Sequence, residues 1–191
     1  MNGDTNLNLF EEGLRSYVDA LGAMKEFYRE AYSRSRKVLD ANLDDLGRNF
    51  RRRLERDSVA LYVSPAGTYL DAWDGTRAWV AAKLPVRGLG DGYFGLCWRA
   101  EDGEPARPGA VVDFDFWGLQ RPLFITLSQH LRSFAGERIL LPSGKQVMIW
   151  EAVDPVNAGS FTDTLDSIAK EWIALLGRIP PEAFPVPPKD Q

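Results

Sequence analysis

Apolar residues in the first third of the chain recur every three or four positions. Leu14, Tyr17, Val18, Leu21, Met24, Tyr28, Ala31 and Ser35 fall on one stripe, and Leu39, Leu43, Leu46, Phe50 and Leu54 on a second, displaced by about one position. No proline interrupts residues 9–57, so this spacing predicts helix throughout. One straight helix of that length would run about 70 Å at ~1.5 Å per residue. The remaining roughly 135 residues would fold to a body only some 35–40 Å across. The rod would overhang, and its apolar stripe would need a partner. A break or bend in "LDANLDDLG", with Asp40 or Asn42 capping a second helix, relieves the mismatch and is the expected form. No glycine or proline at Asp40 or Asn42 enforces that break.

From about residue 59 the period changes to two. "TYLDAWDGTRAWVAAKL" places Asp74-Gly75 between strand-like flanks, a strong hairpin signal that would pair Trp73 with Thr76 and Leu70 with Trp79. The glycine-rich "VRGLGDG" leads to a strand "YFGLCWRA", and the polar "EDGEPARPG" turns the chain into "AVVDFDFW". These segments read as an antiparallel meander of four to five strands. "LQRPLFITLSQHLRSFAGE" follows as a helix, with Pro122 in its first turn and Gly136 just past its end. Then come a β-hairpin turning at residues 142–145 and a C-terminal helix capped by Thr162 or Asp163. That last helix turns Leu165, Ile168, Ala169, Trp172, Leu175 and Leu176 inward. The expected fold class is therefore α+β around an antiparallel sheet. It divides into an N-terminal helical segment 1–57, a body 58–178 and a proline-rich tail 179–191.

Composition narrows the function classes. With 45% hydrophobic and 26% charged residues the chain is globular, and a net charge of -4 argues against a globally basic nucleic-acid binder. One cysteine, Cys97, excludes an internal disulfide and suits a reducing compartment. "MNGDTNLNLFEEG" has neither the basic nor the apolar region of a secretory signal, and no apolar run approaches the roughly 18 residues of a membrane span. A cytoplasmic, soluble protein is expected. A single histidine, His130, makes His-rich metal sites and His-based triads improbable.

Two patterns could carry chemistry. In "VVDFDFWG", alternation puts Asp113, Asp115 and Trp117 on one strand face and Val112, Phe114 and Phe116 on the other, which is plainly the buried one. Paired carboxylates can hold Mg²⁺ or Mn²⁺ when further oxygen ligands converge. Asp71, Glu101, Asp102 and Glu104 are the available donors, but no spacing forces them together. The favoured expectation is a solvated strand face, with Trp117 as a possible cleft wall. The second pattern is "GRNFRRRLERD", where helical rotation would align Arg48, Arg52 and Arg56, with Arg51 and Arg53 beside them. Such a stripe can follow a phosphate backbone, or it can offset the helix dipole and pair with Asp44, Asp45 and Glu55.

"RGLGDG" and "PSGK" lie between strands rather than ahead of a helix, so both read as turns, not phosphate cradles. Cys97 reads as a structural thiol and His130 as a boundary residue. The expected function is a non-enzymatic interaction or regulatory module that associates with a protein partner or with itself through its N-terminal helices, without a cofactor. One alternative is a metal-dependent phosphodiesterase using Asp113 and Asp115. The other is nucleic-acid binding through the arginine cluster.

Overall fold

The computed structural model describes residues 3–64, 76–99, 107–142, 144–154 and 157–184. One helix, α1 (Gly3–Phe50), runs unbroken for 48 residues, about 72 Å at ~1.5 Å per residue. The break anticipated at Asp40 or Asn42 does not occur. Asn42 donates its side-chain amide to the Val38 carbonyl one turn back, at 2.8 Å, and lies 3.4 Å from Asp166 Oδ1. It is therefore absorbed into the helix rather than capping one. The Asp40 carboxylate likewise pairs within the helix, at 3.0 Å from Arg36 Nε.

The helix stops at Phe50, seven residues before the expected end at 57. Arg51 enters the left-handed region at φ 54. Its N–H reaches Arg48 O at 3.1 Å, and the N–H of Arg52 reaches Gly47 O at 2.9 Å. This pair of bonds is the Schellman ending, made with arginine where glycine is usual. The absence of glycine hid the helix end from the sequence.

Among the described residues five strands follow the order β1-β2-β3-β4-β5, each antiparallel to the next. They are β1 (Ala60–Ser64), β2 (Thr76–Val86), β3 (Gly90–Arg99), β4 (Arg107–Asp115) and β5 (Gln146–Ala152). Helix α2 (Arg121–Ala135) separates β4 from β5, and α3 (Ala158–Leu176) follows the sheet. The α+β meander is thus as expected, with three differences. First, Trp79 pairs with Ser64 on one side and Cys97 on the other, so the expected Leu70 partnership is excluded; Trp73 and the Asp74-Gly75 turn lie outside the described residues. Second, the late hairpin shows one bridge among the described residues, Leu140 with Met148, while β5 pairs along its other edge with β4 as the fifth strand. Third, α3 begins earlier than expected, capped by Asn157, whose Oδ1 accepts from Gly159 N at 3.1 Å and Ser160 N at 3.4 Å.

The inner sheet face meets the helices. Ala82, Leu84, Phe94, Val112, Phe114 and Ile149 pack with Leu39, Leu43, Leu46 and Phe50 of α1 and with Leu165, Ile168 and Trp172 of α3. Trp172 is fully buried, and its indole N–H donates to Val112 O at 3.0 Å. Phe184 stacks edge-on against Phe50 at 5.4 Å, so the start of the expected tail belongs to the core. The outer face carries a smaller cluster of Cys97, Val111, Met148 and Trp150. Gly109 admits the Trp150 ring there, since a Cβ at 109 would stand 2.2 Å from it.

Candidate functional site

The acidic strand does not behave as its pattern suggests. Val112, Phe114 and Phe116 are buried as expected, but Asp113 on the opposite face is also buried, at 1% exposure, rather than solvated. Its strand neighbours are Tyr93 and Met148, and the Trp150 cluster closes over the same face. Alternation reveals which residues share a face; it does not reveal that both faces are covered. Asp113 Oδ1 has no hydrogen-bond partner. Burial, and after it the charge of Asp115, push the Asp113 carboxyl up to about 8, partly offset by a backbone hydrogen bond from Phe114. Asp115 is half-buried and also raised, by burial and then by Asp91, its partner across β3.

Around this pair Lys83 Nζ stands 3.0 Å from Asp91 Oδ2, and the indole N–H of Trp117 donates to the same oxygen at 3.2 Å. Lys145 caps the carbonyls of Trp117, at 3.2 Å, and Leu119. Trp117 is 58% exposed and lies past the end of β4. Tyr62 and Tyr93 meet edge to face at 4.9 Å. Among the described residues no three His, Cys, Asp or Glu side chains converge as a metal site. Asp71, Glu101, Asp102 and Glu104 lie outside those residues. The chemistry at this face is that of a carboxyl held largely protonated at neutral pH by its surroundings.

The arginine stripe does not form, because α1 ends at Phe50, after Arg48 and before Arg52 and Arg56. Arg48 pairs with Asp45. Arg52 turns inward, buried, with its guanidinium donating to Arg87 O at 2.9 Å and Phe50 O at 2.8 Å. Arg56 leans toward Asp40 at 3.6 Å. Arg51 and Arg53 are exposed. Arg48, Arg52 and Arg53 line a cleft of about 480 Å³ with Leu43, Asp44 and Leu54. His130 sits half-buried beside Phe134, their rings 6.2 Å apart.

The first helix provides the most distinctive surface. From Ala31 onward its apolar stripe is buried: Ala31, Ser35, Val38 and Leu39 are all at or below 5% exposure. Before Ala31 the same stripe stands in water. Leu14, Tyr17, Val18, Leu21, Met24 and Phe27 are 41–62% exposed. Leu14, Tyr17, Leu21, Met24, Tyr28, Ala31, Ser35 and Val38 step alternately by three and four, the a/d pattern of a helical seam. Val18, Ala20 and Phe27 flank it, making the stripe wider than a two-helix seam requires. Ion pairs flank it, Arg29–Glu26 and Arg34–Glu30, both 2.7 Å, the second at the rim of the pocket where the stripe meets the body.

Where the stripe dips into the body, Phe27, Ala31, Leu96, Trp98, Val153 and Phe161 line a mostly apolar pocket of about 430 Å³. Phe27 meets Trp98 edge-on at 6.0 Å. Phe27 lies off the seam positions and Trp98 sits in a strand, so helical spacing alone did not mark either residue as part of this pocket. Among the described residues no helix is long and apolar enough to cross a membrane. No protein-family model matches the chain, no curated protein matches its sequence, and no solved structure matches its fold.

Proposed function

We propose that the protein is a non-enzymatic association module, in which the α+β body anchors α1 and the free half of α1 joins the chain to a second copy of itself. The observation that supports this is the row of Leu14, Tyr17, Val18, Leu21, Met24 and Phe27, each 41–62% exposed on a helix that runs unbroken into the core. Side chains of this size, half exposed, leave on the order of 500 Å² of apolar surface per chain. Two copies would bury about 1,000 Å², the lower bound of a specific interface. A free helix of this kind gains most of its stability from packing its apolar face, not from intrinsic propensity. Carboxylates at Glu11, Glu12 and Asp19 on the outer half make an anionic membrane surface a poor alternative.

Light scattering across a concentration series tests this. The full chain is expected to be a dimer, and a Leu14→Glu, Leu21→Glu variant a folded monomer. A native chain that stays monomeric at every soluble concentration overturns the proposal.

A further inference from the structure

We infer that the apolar pocket at the root of the free half of α1 is a binding site for a small organic cation, an ammonium head on an apolar body. This goes beyond the association proposed above and does not depend on it.

The cavity exists because three elements part at one end of the sheet. Alternation along β3 puts Phe94, Leu96 and Trp98 on its inner face. The first two are buried in the core, and Trp98 stands half-buried beside it. Helix α1 follows the same course, from buried Ala31 to exposed Phe27. Helix α3 starts at Ala158 and brings buried Phe161 to the pocket from its first turn. The space among them is about 430 Å³, within the range of small-molecule sites, on the order of 300–1,000 Å³.

Walls and rim together select the charge of the ligand. Phe27, Trp98 and Phe161 bring three aromatic rings to one cavity, the first two edge to face at 6.0 Å. The face of an aromatic ring is the negative end of its quadrupole and attracts a cation. Among the lining residues, the carboxylates of Glu30 and Asp154 stand against the guanidinium of Arg34, which is 2.7 Å from Glu30. Backbone donors that would suit an anion are already engaged, since Asn157 Oδ1 accepts from Gly159 N and Ser160 N at the start of α3. An ionised carboxylate has about four acceptor positions, so one ion pair does not exhaust Glu30. A neutral or anionic ligand would fill the same apolar volume and gain nothing from this rim.

Calorimetric titration of the full-length chain with hexyltrimethylammonium, hexanol and hexanoate separates charge from apolar bulk. The cation is expected to saturate one site with a dissociation constant on the order of 0.1–1 mM, and the other two to bind at least about tenfold more weakly. No saturable binding of the cation, or equally tight binding of hexanol or hexanoate, overturns the assignment. Phe27→Ala and Glu30→Gln alter exposed positions, so the fold tolerates both. Each is expected to weaken binding about fivefold, by loss of a cation–π wall and of a rim charge respectively. Unchanged affinity in either variant overturns the site as drawn. The Leu14→Glu, Leu21→Glu variant leaves the lining residues intact and is expected to bind as the native chain does, so the site and the association fail or stand separately. Loss of binding in that variant would move the ligand to the contact between copies and overturn the pocket as its seat.

Discussion

The two halves of α1 are built from similar residues and live in different solvents. Leu21 and Leu46 both lie on apolar stripes of one uninterrupted helix, yet the first is 45% exposed and the second fully buried. Nothing in the helix itself distinguishes them. The difference comes from the body: the second half lies against α3, β2 and β3, and the side chains from Leu14 to Phe27 stand exposed. A helix that outruns its own domain presents the same kind of surface that elsewhere makes a core, and this is why the free half reads as a surface for contact.

The sharpest way to break that contrast is to delete equivalent bulk from each half. Phe50→Ala should destabilise the fold by about 3–5 kcal/mol, since Phe50 contacts Phe114 and Phe184 and its loss leaves a cavity. Leu21→Ala should change the stability of the monomer by no more than about 0.5 kcal/mol. Denaturant unfolding of both variants, at a concentration where the chain is monomeric, measures the difference. Equal costs would mean that the free half folds back on the body.

A second test asks whether the pH response belongs to the body rather than the free helix. Asp113 titrates near 3.8 when solvated and at about 8 in the fold. Between those values the folded chain keeps a proton that the unfolded chain releases, so stability falls as pH rises from about 4 to 8. The total loss from this one group is on the order of a few kcal/mol. Asp113→Asn, which stays neutral, should flatten the slope and leave the variant the more stable protein at pH 8. Leu14→Glu with Leu21→Glu should leave the slope above about pH 6 unchanged, because an exposed Glu titrates near 4.3. A slope that survives in Asp113→Asn shows that the carboxyl is not the titrating group.

The smallest effect lies at the junction of the halves. Ser35 occupies a seam position, is fully buried, and its hydroxyl has no partner. Ser35→Ala removes an unpaired polar group and improves helix propensity, and thermal melting should report a gain of about 0.5–1.5 kcal/mol. A loss would show that the hydroxyl is satisfied in solution and that the junction is wetter than its burial implies.

Much of this was legible in the residues. Three-and-four spacing marked α1 and the inward face of α3, period two marked the strands, and Pro122 with Gly136 bounded α2, because those signals are local and repeat along the chain. The helix end at Phe50 was not legible, since its left-handed residue is an arginine. Nor was the start of α3, since Asn157 acts from beyond the apolar run that marked the helix. The acidic strand shows the limit most clearly. Alternation put Asp113 and Phe114 on opposite faces, but only the closure of Trp150, Met148 and Tyr93 over the outer face buries the carboxylate, and those residues come from other strands. The apolar stripe of α1 likewise announced that it needed a partner. Which turns the body would cover, and which it would leave in water, was decided by which parts of α1 lie against α3, β2 and β3. Periodicity is written along one segment, whereas burial is a property of every segment that packs against it.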